Sequence, residues 1–455
     1  MKLEVAKCFC VTVLLSAFML GQQQPASPGA PGSSPVQSNL VDKSPSDALN
    51  EHLPNWLRFS GEIRLRGEGF SGAGFKPDDS DGYLLTRLRL NMRVQPASWL
   101  HFFFQGQDAH ILGENEKLIA ALPPYQDTFD LRQGYVEFGN VEDKPFGFRA
   151  GRQELAFGSE RLLGNANWLN TPRSFDGFRG TLRGNAYRLD AFAACMDKIH
   201  DGQFNECIPG SNIYGLYSTF SKLVPHASIE PFFFWRRQSG LKSEAGPIGI
   251  MQQGTFGFHW SVKPKPGFDY DVEMARQAGS LGPDTIRAWA GHWLSGYTVA
   301  HSRYKPRVVT EFNYATGDRN SKDGTRGTFD QIYPSGHDLY GLTDQVGWKN
   351  IEHIRGGFEI KPAVKWKLST KYSSYWLADS HDALYSAASV ALAKSPTGTA
   401  GRWVGQELDF VGNYNYSKRT LFSAGFGHLF PGTFLNKTTP GVGYSYPYAS
   451  LTYGF

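Results

Sequence analysis

The sequence predicts an all-β fold: a transmembrane antiparallel β-barrel of about 18 strands, with short periplasmic turns and long extracellular loops. Three observations lead there. Alternating segments of about ten residues run from Trp56 to Phe455. The connections between them are short and long by turns. An export-type N-terminus precedes them all.

That N-terminus reads MKLEVAKCFCVTVLLSAFMLG. Lys2 and Lys7 make a basic start, and Cys8 to Leu20 make an apolar core too short to span a bilayer, so residues 1–21 read as a secretory signal. No A-x-A site precedes Gln22, and no cysteine stands where a lipoprotein signal needs one. Residues 22–55, rich in Pro, Gly, Ser and Gln, read as a disordered linker that buries no core. Residues 56–455 are the barrel. In that part no apolar run reaches the roughly eighteen residues of a spanning helix. With 40% apolar and 14% aromatic residues and a mean hydropathy of −0.38, the chain is too polar for a helical membrane protein and too aromatic for a disordered one. The net charge of +4 gives no argument for nucleic acid but leaves room for a local positive field.

The segments follow in order: RFSGEIRLRG, LLTRLRLNMRV, WLHFFFQGQ, RQGYVEFGN, FGFRAGRQEL, GFRGTLRG, YRLDAFAA, IYGLYSTF, EPFFFWRR and GTFGFHW, and then YDVEMARQ, IRAWAGHWL, RVVTEFNYA, EHIRGGFEI, WKLSTKYSSYW, GQELDFVGN, LFSAGFGHLF and YASLTYGF. Tight turns lie at QPAS, GNVEDKP, RGNA, VKPKPG, IKPAV and NYSKR. Long connections cover 68–82, 111–128, 156–174, 196–210, 318–348, 378–400 and 430–443. Sorting by length to two ends is the mark of an outer-membrane barrel with an even strand count. In YASLTYGF, Ala449, Leu451, Tyr453 and Phe455 share one face and the chain stops on Phe455, as in terminal strands read by the barrel-assembly machinery.

Within YLLTRLRLNMRV, Arg87, Arg89 and Arg93 alternate with Leu88, Leu90 and Met92. In a bilayer every backbone group must be paired, so strands span only as a closed sheet with a lipid face and a lumen face. The arginines must face the lumen, because each would cost about 2–4 kcal/mol at the midplane on the lipid side. The same parity turns Arg64, Arg66, Arg179, Arg183, Arg236 and Arg307 inward, together with the acidic residues Glu62, Glu137, Glu230 and Glu311, and Asp409 joins them as a further lumen carboxylate. In FGFRAGRQEL, strict parity turns Arg149 in and Arg152 out. Either Gly151 makes a bulge or Arg152 lies above the lipid belt.

About eighteen strands enclose a lumen too wide for wall side chains to fill, so an aqueous conduit is expected, constricted where loops fold inward. Its arginines attract anions, carboxylates above all, while the acidic residues temper the field or pair with the arginines as wall ladders.

Two motifs carry a resemblance. GRQELAFGSERLLGNANWLNTPRSFDGFRG (151–180) and YATGDRNSKDGTRGTFDQIYPSGHDLYGLTDQVGWKNI (314–351) resemble the alginate-export family of outer-membrane proteins, and LRQGYVEF fits as well. Arg152, Trp168, Arg173, Asp176, Asp318 and Asp330 are the matched motif positions. The resemblance covers Trp56 to Phe455. It implies an eighteen-stranded barrel whose arginine-lined conduit passes a polyuronate and is gated by loops at both ends.

Cys195 and Cys207, an even pair in an exported chain, predict a disulfide acting as a loop staple. Asp318, Asn320 and Asp323 offer oxygens to Ca²⁺, but without the spacing of a twelve-residue calcium loop, so solvated turn chemistry is the stronger expectation and no cofactor is expected. The expected function is an outer-membrane channel for anionic polysaccharide or uronate-type solutes, not an enzyme. The alternative is a general anion-selective porin for small solutes. A barrel enzyme ranks lower, since His292 and Ser295 have opposite parity, and so does an adhesin presenting its loops. Lipids, the assembly machinery and anions are the expected partners, with no nucleic acid.

Overall fold

The computed structural model describes residues 43–121, 123–244, 246–262 and 266–455. The signal segment and residues 22–42 of the expected linker lie outside the described residues.

Eighteen antiparallel strands close into a barrel. They are β1 (Leu57–Ser71), β2 (Ser80–Ala97), β3 (Leu100–Leu112), β4 (Asp127–Gly139), β5 (Phe146–Gln153) and β6 (Phe175–Arg183), then β7 (Tyr187–Lys198), β8 (Glu206–Phe220), β9 (Ala227–Lys242), β10 (Ile248–Val262), β11 (Gly267–Leu281) and β12 (Asp284–Thr298), and last β13 (Arg307–Ala315), β14 (Ile351–Ile360), β15 (Trp366–Leu377), β16 (Trp403–Asn415), β17 (Thr420–Pro431) and β18 (Tyr444–Gly454). Each pairs with its neighbour in sequence, and β18 returns to β1 from Glu62↔Gly454 to Ser71↔Ser445. Closure leaves no open edge, which is what a lipid environment demands of strands.

Side chains alternate as expected. Ile63, Leu65, Leu90, Phe178, Leu182, Phe233, Val308 and Phe312 are exposed on the outer wall. Outward aromatic pairs ring both ends, as barrel girdles do. Trp99–Phe138, Trp260–Tyr270 and Trp366–Tyr414 mark the end that carries the first and last strand termini, and Trp289–Tyr314 and Trp376–Trp403 mark the other. The first end also carries the tight turns and is the periplasmic one. Two connections break the rhythm at the extracellular end. Residues 243–247 are few, and β11 meets β12 through Gly282 and Pro283 alone, with Gly282 at φ 56, a left-handed conformation suited to glycine.

The expected linker is ordered in its last part. Pro45–Glu51 forms helix α1, opened by a reciprocal cap between Ser44 and Asp47. Asn50 then bonds both backbone groups of Phe59, on the stretch of β1 that runs past the end of β18. Cys195 and Cys207 are bonded to each other across the start of the 199–205 loop, with Cα atoms 5.6 Å apart.

Strand closure depends on one small residue. Gly61 exchanges both backbone hydrogen bonds with Phe455, at 2.7 and 2.9 Å. A Cβ at Gly61 would lie 2.4 Å from the Phe455 ring and 2.6 Å from the Arg89 carbonyl. Gly61→Leu is therefore expected to cost at least the ~1–3 kcal/mol of an overpacked site and to lower the assembled fraction several-fold. The faster-migrating band of unheated barrel on a denaturing gel measures this; an unchanged band would refute it.

Candidate functional site

The arginines of β1 and β2 meet a loop rather than open water. The connection 154–174 folds into the lumen and lays its backbone across this wall. Arg64 donates to the carbonyls of Asn167, Trp168 and Leu169 at 3.0–3.1 Å. Arg87 donates to Asn167 and Leu169 at 3.0 and 3.1 Å, and Arg66 to Trp168 at 2.5 Å. The Asn170 amide closes this seat on the carbonyls of Thr86, His110 and Tyr125. At its other side the same loop reaches the opposite wall: Ser159 donates to Glu273 at 2.5 Å, and Arg161 lies 3.1 Å from His292 and 3.6 Å from Glu311. The loop thus crosses the barrel.

The connection 316–350 crosses beside it. Asp330 pairs with Arg236 at 2.6 Å, and Thr343 donates from backbone and hydroxyl to Glu407 on β16. The two loops bond each other through Leu162, Gly164 and Tyr333, and Arg173 donates to the Pro334 carbonyl. Trp168 is the clasp: its ring stacks on His337 at 3.8 Å, with the Arg66 guanidinium 4.0 Å from its centroid. The loops rest on an apolar inner wall, where Phe192, Tyr217, Phe232 and Phe234 stack beneath Phe157.

Asp338, in the second loop, pairs with Lys371 of β15. Burial raises its carboxyl, but Lys371 and Arg355 outweigh burial and hold it below the ordinary carboxylate value. Such a group stabilises the seated loop above the unfolded value of about 3.9 and loses that effect as pH falls through its depressed value. As this pair is lost below pH ~4, open-channel current noise is expected to rise, and Lys371→Met should move that rise upward in pH. An onset unmoved by that substitution would exclude Lys371 as the holding charge.

The other expected lumen residues are placed as follows. Arg89 donates to Gln107 at 2.8 Å and lies 3.9 Å from Glu62, which accepts from Arg87 at 2.7 Å. Arg149 pairs with Glu137 at 2.6 Å, and Arg179 with Asp190 at 2.9 Å. Arg307 pairs with Asp269 at 2.5 Å. Arg183 is half-buried near the periplasmic end, and Arg93 is exposed there. Glu230 accepts from Tyr217 at 2.6 Å and lies 3.1 Å from His259. Glu311 pairs with Arg355, and Asp409 accepts weakly from the Leu342 backbone at 3.4 Å.

Arg152 is decided in favour of the second alternative. The β4–β5 ladder runs through it without a shift, so it faces outward. There it forks onto Asp176 at 2.9 and 3.0 Å, meets Asp197 at 3.1 Å, and is covered by Asn205 and Phe204. Asp318, Asn320 and Asp323 form turns: Asp318 accepts from the Asn320 backbone and Asp323 from that of Thr325. His292 is buried inside against Asn313, on the opposite face from Ser295.

At the periplasmic end a cavity of about 1370 Å³ opens beneath the crossed loops. Lys305 and Arg307 reach it from the β12–β13 turn and the start of β13, Lys361 and Lys365 from the β14–β15 turn, Lys367 from the start of β15, and Lys418 and Arg419 from the β16–β17 turn. Against these seven cations stand two lining side-chain carboxylates, Glu62 and Glu359. Glu359 pairs with Lys367 at 3.0 Å, and Arg419 pairs with Asp47 of α1 at 2.5 Å.

A family model described as alginate export matches residues 55–447, nearly the whole barrel. The chain belongs to the alginate-export family. No curated protein matches it. Among solved structures, this alginate-export family barrel is similar to Acinetobacter baumannii OccAB2 (TM-score 0.59, 10% identity, 87% of this chain and 98% of that one) and to Pseudomonas aeruginosa OccK8 (OprE) (0.57, 11%, 88% and 98%). It is also similar to Pseudomonas aeruginosa OccD3 (OpdP) (0.54, 11%, 88% and 91%). At these identities the likeness is one of fold. Family and barrel together place the chain as an outer-membrane channel of Gram-negative type.

In this member of the alginate-export family, the matched motif positions mostly lock loops: Trp168, Arg173 and Asp330 hold the two crossing segments, while Arg152 and Asp176 pair outside the wall. The vestibule lysines were absent from the expected site. Part of their signal was present in IKPAV, in VKWK just after it, and in NYSKR, as lysine at two turns of the same end.

Proposed function

We propose that the barrel passes anionic solutes, with a uronate-type polysaccharide as the cargo, along a path whose positive field is strongest in the periplasmic vestibule. The seven cations against two side-chain carboxylates in that cavity carry this reading. Clustered ammonium and guanidinium groups between low-dielectric walls raise the local concentration of carboxylates. The family description names alginate, a polyuronate, which agrees in charge and chemistry. A second reading, a general pore for small anions, is favoured by the two loops that cross the lumen. The outer apolar band is assigned to lipid, and the terminal strand to the assembly machinery.

Purified barrel in a planar bilayer tests both readings. Anion-selective current blocked by polyuronate added on the periplasmic side is the expected result. Anion-selective current without block would leave the small-solute reading, and cation-selective current would overturn both.

A further inference from the structure

We propose that Glu62 is an internal competitor for the cargo: its carboxylate occupies the arginine site that a uronate carboxylate takes on arriving from the vestibule. This rests on the anionic-cargo reading above.

Glu62 lies where the vestibule ends and the arginine rows begin. It lines the cavity, and its side chain keeps 24% of its surface accessible. The arginines behind it are buried, with side chains 1% accessible at Arg87 and 8% at Arg89. Arg87 gives Glu62 one close contact at 2.7 Å, while the nearest nitrogen of Arg89 stands at 3.9 Å. The second terminal nitrogen of Arg89 is buried and has no hydrogen-bond partner. An ionised carboxylate accepts about four hydrogen bonds, and guanidinium edges bind one best in pairs. Glu62 therefore fills the site incompletely. Tethered at Cα opposite Arg89 in the ladder, it reaches one arginine well and the other poorly.

A mobile carboxylate is under no such constraint. It can lie between both guanidinium groups once Glu62 swings into the vestibule, where Lys365, Lys367 and Lys418 offer it solvated counter-charges. Glu62 then serves two states. With no cargo it neutralises buried arginines whose charge would otherwise be unpaired, and with cargo present it keeps binding weak enough for release. A channel needs both, because a site that holds its solute too tightly does not conduct.

The experiment compares wild type, Glu62→Gln, Glu359→Gln and Glu62→Asp in planar bilayers, with a uronic-acid trisaccharide added on the periplasmic side. Both glutamine variants remove one negative charge from the same cavity. Glu62→Gln is expected to lengthen block events about tenfold, the effect of a site no longer contested. Glu359→Gln, which frees a solvated lysine, should change them less than about twofold. Equal lengthening in both variants, or none in Glu62→Gln, overturns the proposal. If Glu62→Gln fails to assemble, Glu62→Asp decides. It keeps the charge but draws the carboxylate back, so block should lengthen about two- to threefold. Block no longer than wild type would overturn the proposal. Absence of anion selectivity and of block in the wild type would instead refute the anionic-cargo reading itself.

Discussion

Replacing Arg64 and Arg87 together by alanine is expected to raise single-channel conductance several-fold while the barrel still assembles. Five hydrogen bonds to the carbonyls of Asn167, Trp168 and Leu169 disappear with these two side chains. Hydrogen bonds from a charged donor contribute about 1.5–3 kcal/mol each, so most of the attachment of the 154–174 loop to this wall is lost. The freed carbonyls are not stranded, because lumen water can reach them once the loop lifts. The walls keep their ladders, since β1 and β2 remain paired over their full length. Conductance near the wild-type value would mean that Arg66 and the contacts to Glu273 and His292 hold the loop unaided.

The second large effect concerns selectivity. Converting Lys365, Lys367 and Lys418 to glutamate changes six charges in a cavity that now has seven cations and two side-chain carboxylates. The lining side chains would turn from a net of five positive charges to one negative. Lys365 and Lys418 sit at turns and Lys367 is the second residue of β15, paired with Asn413 through backbone groups that a change of side chain leaves in place, so assembly should survive. The reversal potential in a salt gradient is expected to change sign and polyuronate block to vanish. Both effects should shrink with added salt, since charges across a water-filled mouth are screened over ~10 Å at 0.1 M. Selectivity that stays anionic would place the filter deeper, at the buried arginines.

The barrel and its register were legible because lipid enforces a period of two on every strand, and charge on the wrong face is prohibitive. That rule oriented Arg87 and Arg89 correctly from a dozen residues. It gave less at EPFFFWRR, where Phe232 and Phe234 face in and Phe233 faces out. Glu230 and Arg236 fix the parity of that strand, but parity does not say that its inward phenylalanines seat a loop. Helix α1 was hidden by its composition, although Ser44, Pro45 and Asp47 form a helix-start pattern within the Pro- and Ser-rich stretch. The crossing loops were expected only in outline. The acceptors of Arg64 and Arg87 are backbone carbonyls some hundred residues away in sequence, which leave no mark on residue identity. The vestibule likewise exists only once closure brings three separate turns side by side.

The stacked phenylalanines on β7 and β9 have a consequence for flow. That side of the tube is occupied by packed loop, whereas the periplasmic opening is bounded by β1 and the run from β12 to β18. The periplasmic mouth is therefore off-axis, set against one arc of the cylinder. Strand number therefore overstates the electrical bore, and the molecule should conduct like a much narrower barrel whose unused arc serves as a buttress.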